Sequence, residues 1–184
     1  MKSNLHEMQL HELFGTAESY AQTQLRQTGI VAPAYFYAGD DGRSVVVSPG
    51  FETSEAKHQF TAMLRVLALA RRITAGVLVT HTWLKFYEPD EVIDLHEPIA
   101  KAPGREEFVL LAGECRGGGT RKLLPVVRTD HGSFHHFGEP IVAGDIQSWP
   151  PDLLPEKEPD ATVYEAAKTV WRLLEQQAEG QRSE

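Results

Sequence analysis

A chain of 184 residues that is 41% hydrophobic and 24% charged has the make-up of a globular domain, long enough to bury a core without disulfides or metals. Acidic residues outnumber basic ones 26 to 18, and the formal net charge of -8 sets the whole-molecule field against nucleic acid and anionic membranes. No apolar run approaches the roughly 20 residues a bilayer-spanning helix needs, so no membrane partner is expected.

The opening residues Met1 to Phe14 scatter polar side chains where a secretory signal needs an unbroken apolar stretch, and the single Cys115 forms no internal disulfide. Both features point to a cytoplasmic chain. Leu10, Leu13, Phe14, Ala17, Ala21 and Leu25 then recur at helical spacing, with Glu7, His11, Glu12, Glu18 and Ser19 on the other face, and Gly29 ends this first helix. Two β-rich runs follow, PAYFYA and RSVVVS, separated by Gly39-Asp40-Asp41-Gly42, a turn composition that predicts a hairpin. Thr53 or Ser54 can cap a second helix, apolar at nearly every turn from Phe60 to Ile73, which is expected to lie buried across a sheet.

Ala75 to Phe86 reads as a third strand, with Glu107 to Arg116 and Arg121 to Thr129 as a fourth and fifth joined through Gly117-Gly118-Gly119. A short sixth run, SFHHF, follows Asp130-His131-Gly132. Between the third and fourth strands, Tyr87 to Arg105 is a long acidic loop with three prolines. Residues 141–161 form a proline-rich connector, too broken for a helix or central strand. Thr162 and Glu165 then match a capping box, and Val163, Ala167, Val170, Trp171 and Leu174 form the apolar stripe of a last helix.

The order α-β-β-α-β-β-β-α predicts a single α+β domain over 1–184, an α/β sandwich with an antiparallel sheet of five or six strands and helices packed on it. That order resembles roadblock and profilin-like domains, whose helices pack on a five-stranded antiparallel sheet. The resemblance rests on element order alone and implies a dimerisation or docking module. A second resemblance is to uncharacterised bacterial proteins in which a Trp-bearing strand, an acidic proline-containing loop, an Arg-Glu-Glu strand and a Gly-Glu-Pro follow one another. Here these are Trp83, the loop from Glu88, Arg105-Glu106-Glu107 and Gly138-Glu139-Pro140. It implies no activity.

Few residues are candidates for chemistry. His131, His135 and His136 cluster near a turn, and imidazoles bind zinc and other divalent metals. Adjacent residues in a strand face opposite ways, so His135 and His136 meet one metal only across a bulge, and the spacing fits no zinc motif. The expectation is an exposed polar hairpin tip with no metal. Cys115, with His81 on the adjacent strand, invites a cysteine–histidine reading, but it lies in a strand rather than at a helix N-terminus, and structural burial is expected. The three glycines lack the strand-to-helix context of a phosphate loop. Glu88, Asp90, Glu91, Asp94, His96 and Glu97 supply oxygen donors without calcium-loop spacing. The function read from the sequence is a non-enzymatic interaction or dimerisation module, binding a second copy or another protein through a sheet edge or the terminal helix, with no cofactor. The alternative is a small enzyme or ligand-binding protein with a pocket near His81, Glu114 and the acidic loop 88–97.

Overall fold

The first helix, α1 (Lys2–Thr28), turns Leu10, Leu13, Ala17, Ala21 and Leu25 into the core, as their spacing requires. In this computed structural model, residues 2–48, 50, 51, 53–87, 102–116, 118–143, 152–155 and 157–181 are described. After Gly29, whose φ of 78° ends the helix, β1 (Ala34–Gly39) and β2 (Gly42–Val47) form the expected hairpin, with Gly39 paired to Gly42 across Asp40-Asp41. Gly42 supplies the positive φ of the turn, 97°. Gly39 answers to a close approach instead, because a Cβ there would stand 2.4 Å from the Arg71 carbonyl oxygen, which accepts the Asp40 N–H at 3.0 Å.

Thr53 caps α2 (Ser54–Ala70), its hydroxyl accepting the Ala56 N–H at 3.1 Å. The helix stops at Arg72, whose φ of 46° stands where glycine is the usual residue. The Arg72 guanidinium lies 4.5 Å from the centre of the Tyr164 ring, a cation–π contact available to no glycine. Next come β3 (Ala75–Leu84), β4 (Glu106–Cys115) and β5 (Gly118–Arg128), a regular antiparallel meander, then β6 (Phe134–Phe137), β7 (Ile141–Ala143) and α3 (Ala161–Gln181).

The sheet is antiparallel throughout, in the order β2-β1-β3-β4-β5-β6, with β7 beside β6 on the same flank of β5. Its two faces build two main cores, and Phe108, Leu110 and Leu123 form a third, smaller cluster. On one, α1 covers Ala34, Phe36, Val77, Val79, Val109, Leu111 and Leu124. On the other, Phe60, Leu64, Leu67 and Ala68 of α2 cover Tyr35, Tyr37 and Leu78, and Trp171 of α3 joins the same core beside Leu153 and Leu154. Alternation along each strand sends odd and even positions to these different cores. No helix among the described residues is both long and apolar enough to cross a membrane.

Four sequence expectations need correction. Residues 141–161 are not connector throughout, because Ile141 to Ala143 pair with Leu123 to Arg121 as β7; three residues on an edge tolerate the preceding Pro140. The capping box at Thr162 is not formed. Asp160 caps α3 instead, its Oδ1 accepting the Val163 N–H at 3.1 Å. The apolar stripe of α3 also divides: Tyr164 and Ala167 are buried and Trp171 packs on the α2 core, whereas Val163 and Val170 are 41% and 45% exposed.

The fourth correction lies in β6. Phe134 and Phe137 both pack against the α1 core, yet residues three apart in a regular strand face opposite sides. An extra residue resolves the conflict. Val126 pairs with Phe137, Val127 with His136 and Arg128 with Phe134, so His135 has no partner and forms a β-bulge. The bulge puts His135 and His136 together on the exposed side, against the expectation that they face opposite ways, and their Nδ1 atoms stand 2.7 Å apart.

Candidate functional site

His81 follows Val77 and Val79 onto the α1 face of β3, Glu107 precedes Val109 and Leu111 on the same face of β4, and Arg128 follows Leu124 and Val126 on β5. These three polar positions at the end of three apolar rows meet in one cluster. His81 Nε2 is 2.7 Å from Glu107 Oε1, and the Val31 N–H donates to His81 Nδ1 at 3.3 Å. That pairing makes Nδ1 the acceptor and puts the imidazole proton on Nε2, facing the carboxylate. The Arg128 fork grips both Glu107 oxygens, with Nε 2.7 Å from Oε2, while its Nη2 and Nη1 also donate to the carbonyls of Gly29 and Gly132 at 2.8 and 2.9 Å. Burial pushes the Glu107 carboxyl up, but the hydrogen bonds from Arg128 and His81 outweigh it and hold the group below the ordinary carboxylate range.

Every polar atom of the His81 ring and the Glu107 carboxylate is therefore committed to a structural bond. The cluster fastens the exit of α1, at Gly29 and Val31, onto three strands, and leaves His81 no nitrogen for proton transfer. Sequence reasoning singled out His81 and missed its two partners. The available signal was period two, since Glu107 and Arg128 occupy positions in register with core residues.

Glu114 lies on the other face. Its Oε2 accepts the N–H groups of Leu153 and Leu154 at 2.9 and 3.1 Å, which holds residues 152–155 against the sheet. Its Oε1 is buried without a hydrogen-bond partner among the described residues, and so is the Tyr35 hydroxyl. The Tyr35 hydroxyl lies over Gly76, which pairs with Glu114 in register and whose Cβ, were it present, would stand 2.1 Å from Tyr35 Oη. Burial pushes the Glu114 carboxyl up, an effect that the Leu154 and Leu153 N–H groups only partly offset. Burial, and then the Glu114 charge, also raise the Tyr35 hydroxyl well above its usual value. Beside Glu114 opens a recess of about 320 Å³ lined by Arg116, Asp152, Leu154 and Pro155. Arg116 is tied to Glu158 and, at 2.9 Å, to the Tyr164 hydroxyl. The recess thus gathers the carboxyls of Glu114 and Asp152 and one engaged guanidinium, and Cys115 at its wall carries a thiol that burial pushes up, away from the thiolate a nucleophile needs.

The pocket expected from His81 and Glu114 together is not built, because odd positions of β3 and even positions of β4 face opposite cores. The acidic loop 88–97 lies outside the described residues. Cys115 and His81 do share the α1 face, but Cys115 pairs with Ala75, six residues along β3 from His81, which is roughly 20 Å. Burial, then Glu7 and Glu114, push the Cys115 thiol up, which disfavours the thiolate a nucleophile needs. His131 is exposed in the turn before β6. No group of three His, Cys, Asp or Glu side chains among the described residues is placed to hold a metal ion. Compared with known proteins, the chain matches no family model, no curated protein and no solved structure.

Proposed function

We propose that the chain is a non-enzymatic self-association module whose two copies join through β2 into one continuous antiparallel sheet. The observation that carries this reading is the contrast between the two sheet edges. β6 and β7 are four and three residues long and β6 is bulged, features that keep a strand edge from pairing further. β2 is six residues long, pairs with β1 without a register shift and contains no proline, and its Val45 and Val47 are 44% and 51% exposed. A second strand there satisfies the open row of N–H and C=O groups and covers the valines.

A second copy suits this edge by symmetry and by charge. With a two-fold axis at Val45, each Val45 meets its own copy and Val47 of each chain faces Arg43 of the other, so no like charges oppose across the junction. A second surface for the same pairing is favoured by α3, where Val163, Ala166, Val170 and Leu173 follow an a/d spacing on the side turned away from α2. The flanking Thr162, Thr169 and Gln176 carry no charge to repel a like helix.

Light scattering over a range of micromolar concentrations tests the proposal. The expected mass is twice the 20.5 kDa of the chain, falling to one chain mass when Val45→Lys and Val47→Lys place charges on the edge. A single-chain mass that persists as concentration rises sinks self-association altogether. A dimer that survives the two lysines but is lost in Val170→Glu moves the junction from β2 to α3.

A further inference from the structure

The bulge in β6 builds a donor pair from two residues whose spacing in a regular strand keeps them apart. Because Phe134 and Phe137 are both drawn into the α1 core, the two residues between them are forced onto the outer side together. Their Nδ1 atoms are 2.7 Å apart and the rings meet edge to face, with centroids 4.6 Å apart. Both side chains are exposed, so an ion reaches them without displacing core.

We infer that His135 and His136 form a two-nitrogen chelate for a tetragonal divalent ion, copper(II) or nickel(II), on the outer side of β6. Two nitrogens bound about 2.0 Å from one metal stand about 2.8 Å apart when cis on a square-planar ion, and about 3.3 Å apart on a tetrahedral one. The observed 2.7 Å is a ring-to-ring hydrogen bond, so one Nδ1 carries a proton, and the ion enters by displacing that proton with a ring shift of a few tenths of an ångström. A structural zinc site needs four protein ligands and a catalytic one three, whereas no such group of three or more exists among the described residues. Imidazole donors and the order of metal affinities favour copper(II) over zinc for a site of two. The remaining coordination positions face solvent and are filled by water or by a small donor ligand.

This inference is independent of the β2 pairing, since β6 lies at the opposite flank of the sheet. The test uses the full chain and copper(II) held in a glycine buffer that competes for weakly bound ion. Histidine-ring NMR signals are followed while copper is added below stoichiometry, and affinity is measured calorimetrically for the unaltered chain, His135→Ala, His136→Ala and His131→Ala. The expected result is that the His135 and His136 signals broaden first, and that either alanine lowers affinity about 100-fold, the loss of the second arm of a chelate. His131→Ala leaves it unchanged. A loss of less than about tenfold in either variant, or broadening that reaches other histidines first, overturns the inference. Both substituted positions are exposed, so an unchanged melting temperature separates loss of a ligand from loss of the fold.

Discussion

Removing the Glu107 carboxylate is the sharpest test of how α1 is fastened to the sheet. Glu107 is 8% exposed, takes two hydrogen bonds from Arg128 and one from His81, and among the described residues is the group that joins those two side chains. Deleting one member of a buried ion pair costs about 3–5 kcal/mol, because the charge left behind has lost its compensation. Arg128 retains the carbonyls of Gly29 and Gly132, and 27% of its side chain reaches water, so Glu107→Ala is expected near the lower bound, about 3 kcal/mol. For a chain of this size that lowers the melting midpoint by about 6–12 °C. Arg128→Lys keeps the charge and loses the fork, and is expected to cost less than the alanine. The Glu107 carboxyl is held below its ordinary value of 4.5. Its contribution is therefore complete above that pH and is lost as pH falls through the folded-state value, so the gap between the unaltered chain and Glu107→Gln narrows in acid. Urea unfolding at several pH values measures all of this. A Glu107→Ala cost below about 1 kcal/mol with an unchanged slope refutes the reasoning and leaves α1 held by apolar packing and its surface pairs of Glu18 with Lys122 and Glu12 with Arg43.

The Glu114 carboxyl carries the opposite sign. Its folded-state value is raised above 4.5, so the favourable contribution is complete below that pH and is lost as pH rises through the raised value; stability of the unaltered chain relative to Glu114→Gln should fall over that window, and a flat difference rejects a raised carboxyl. Two glycines separate propensity from packing. Gly15→Ala, with nothing within 4 Å of the added methyl in α1, is expected to stabilise by about 1 kcal/mol, while Gly76→Ala, driven against Tyr35, is expected to destabilise by about 1–3 kcal/mol; thermal melts that rank them the other way contradict the packing described. Asp160→Ala should cost about 1 kcal/mol as the cap of α3, and Thr162→Ala only a few tenths, so equal effects in chemical denaturation restore the capping box at Thr162.

Periodicity in the sequence was enough for the order of the principal elements, the hairpin at Asp40-Asp41, a cap at Thr53 or Ser54 and the antiparallel sheet, because those depend on contacts between near neighbours in the chain. What lay beyond it was which face each side chain serves. His81 and Glu114 read as neighbours in adjacent strands, and only the register of β3 against β4 assigns them to opposite cores. His135 and His136 read as opposed, and only the burial of both Phe134 and Phe137 imposes the bulge that joins them. Likewise α3 read as one stripe, and the position of α2 decides that Tyr164, Ala167 and Trp171 turn inward while Val163 and Val170 stay in water. Local propensity sets what a segment becomes. The competition of distant apolar residues for the same core sets where its polar side chains are left.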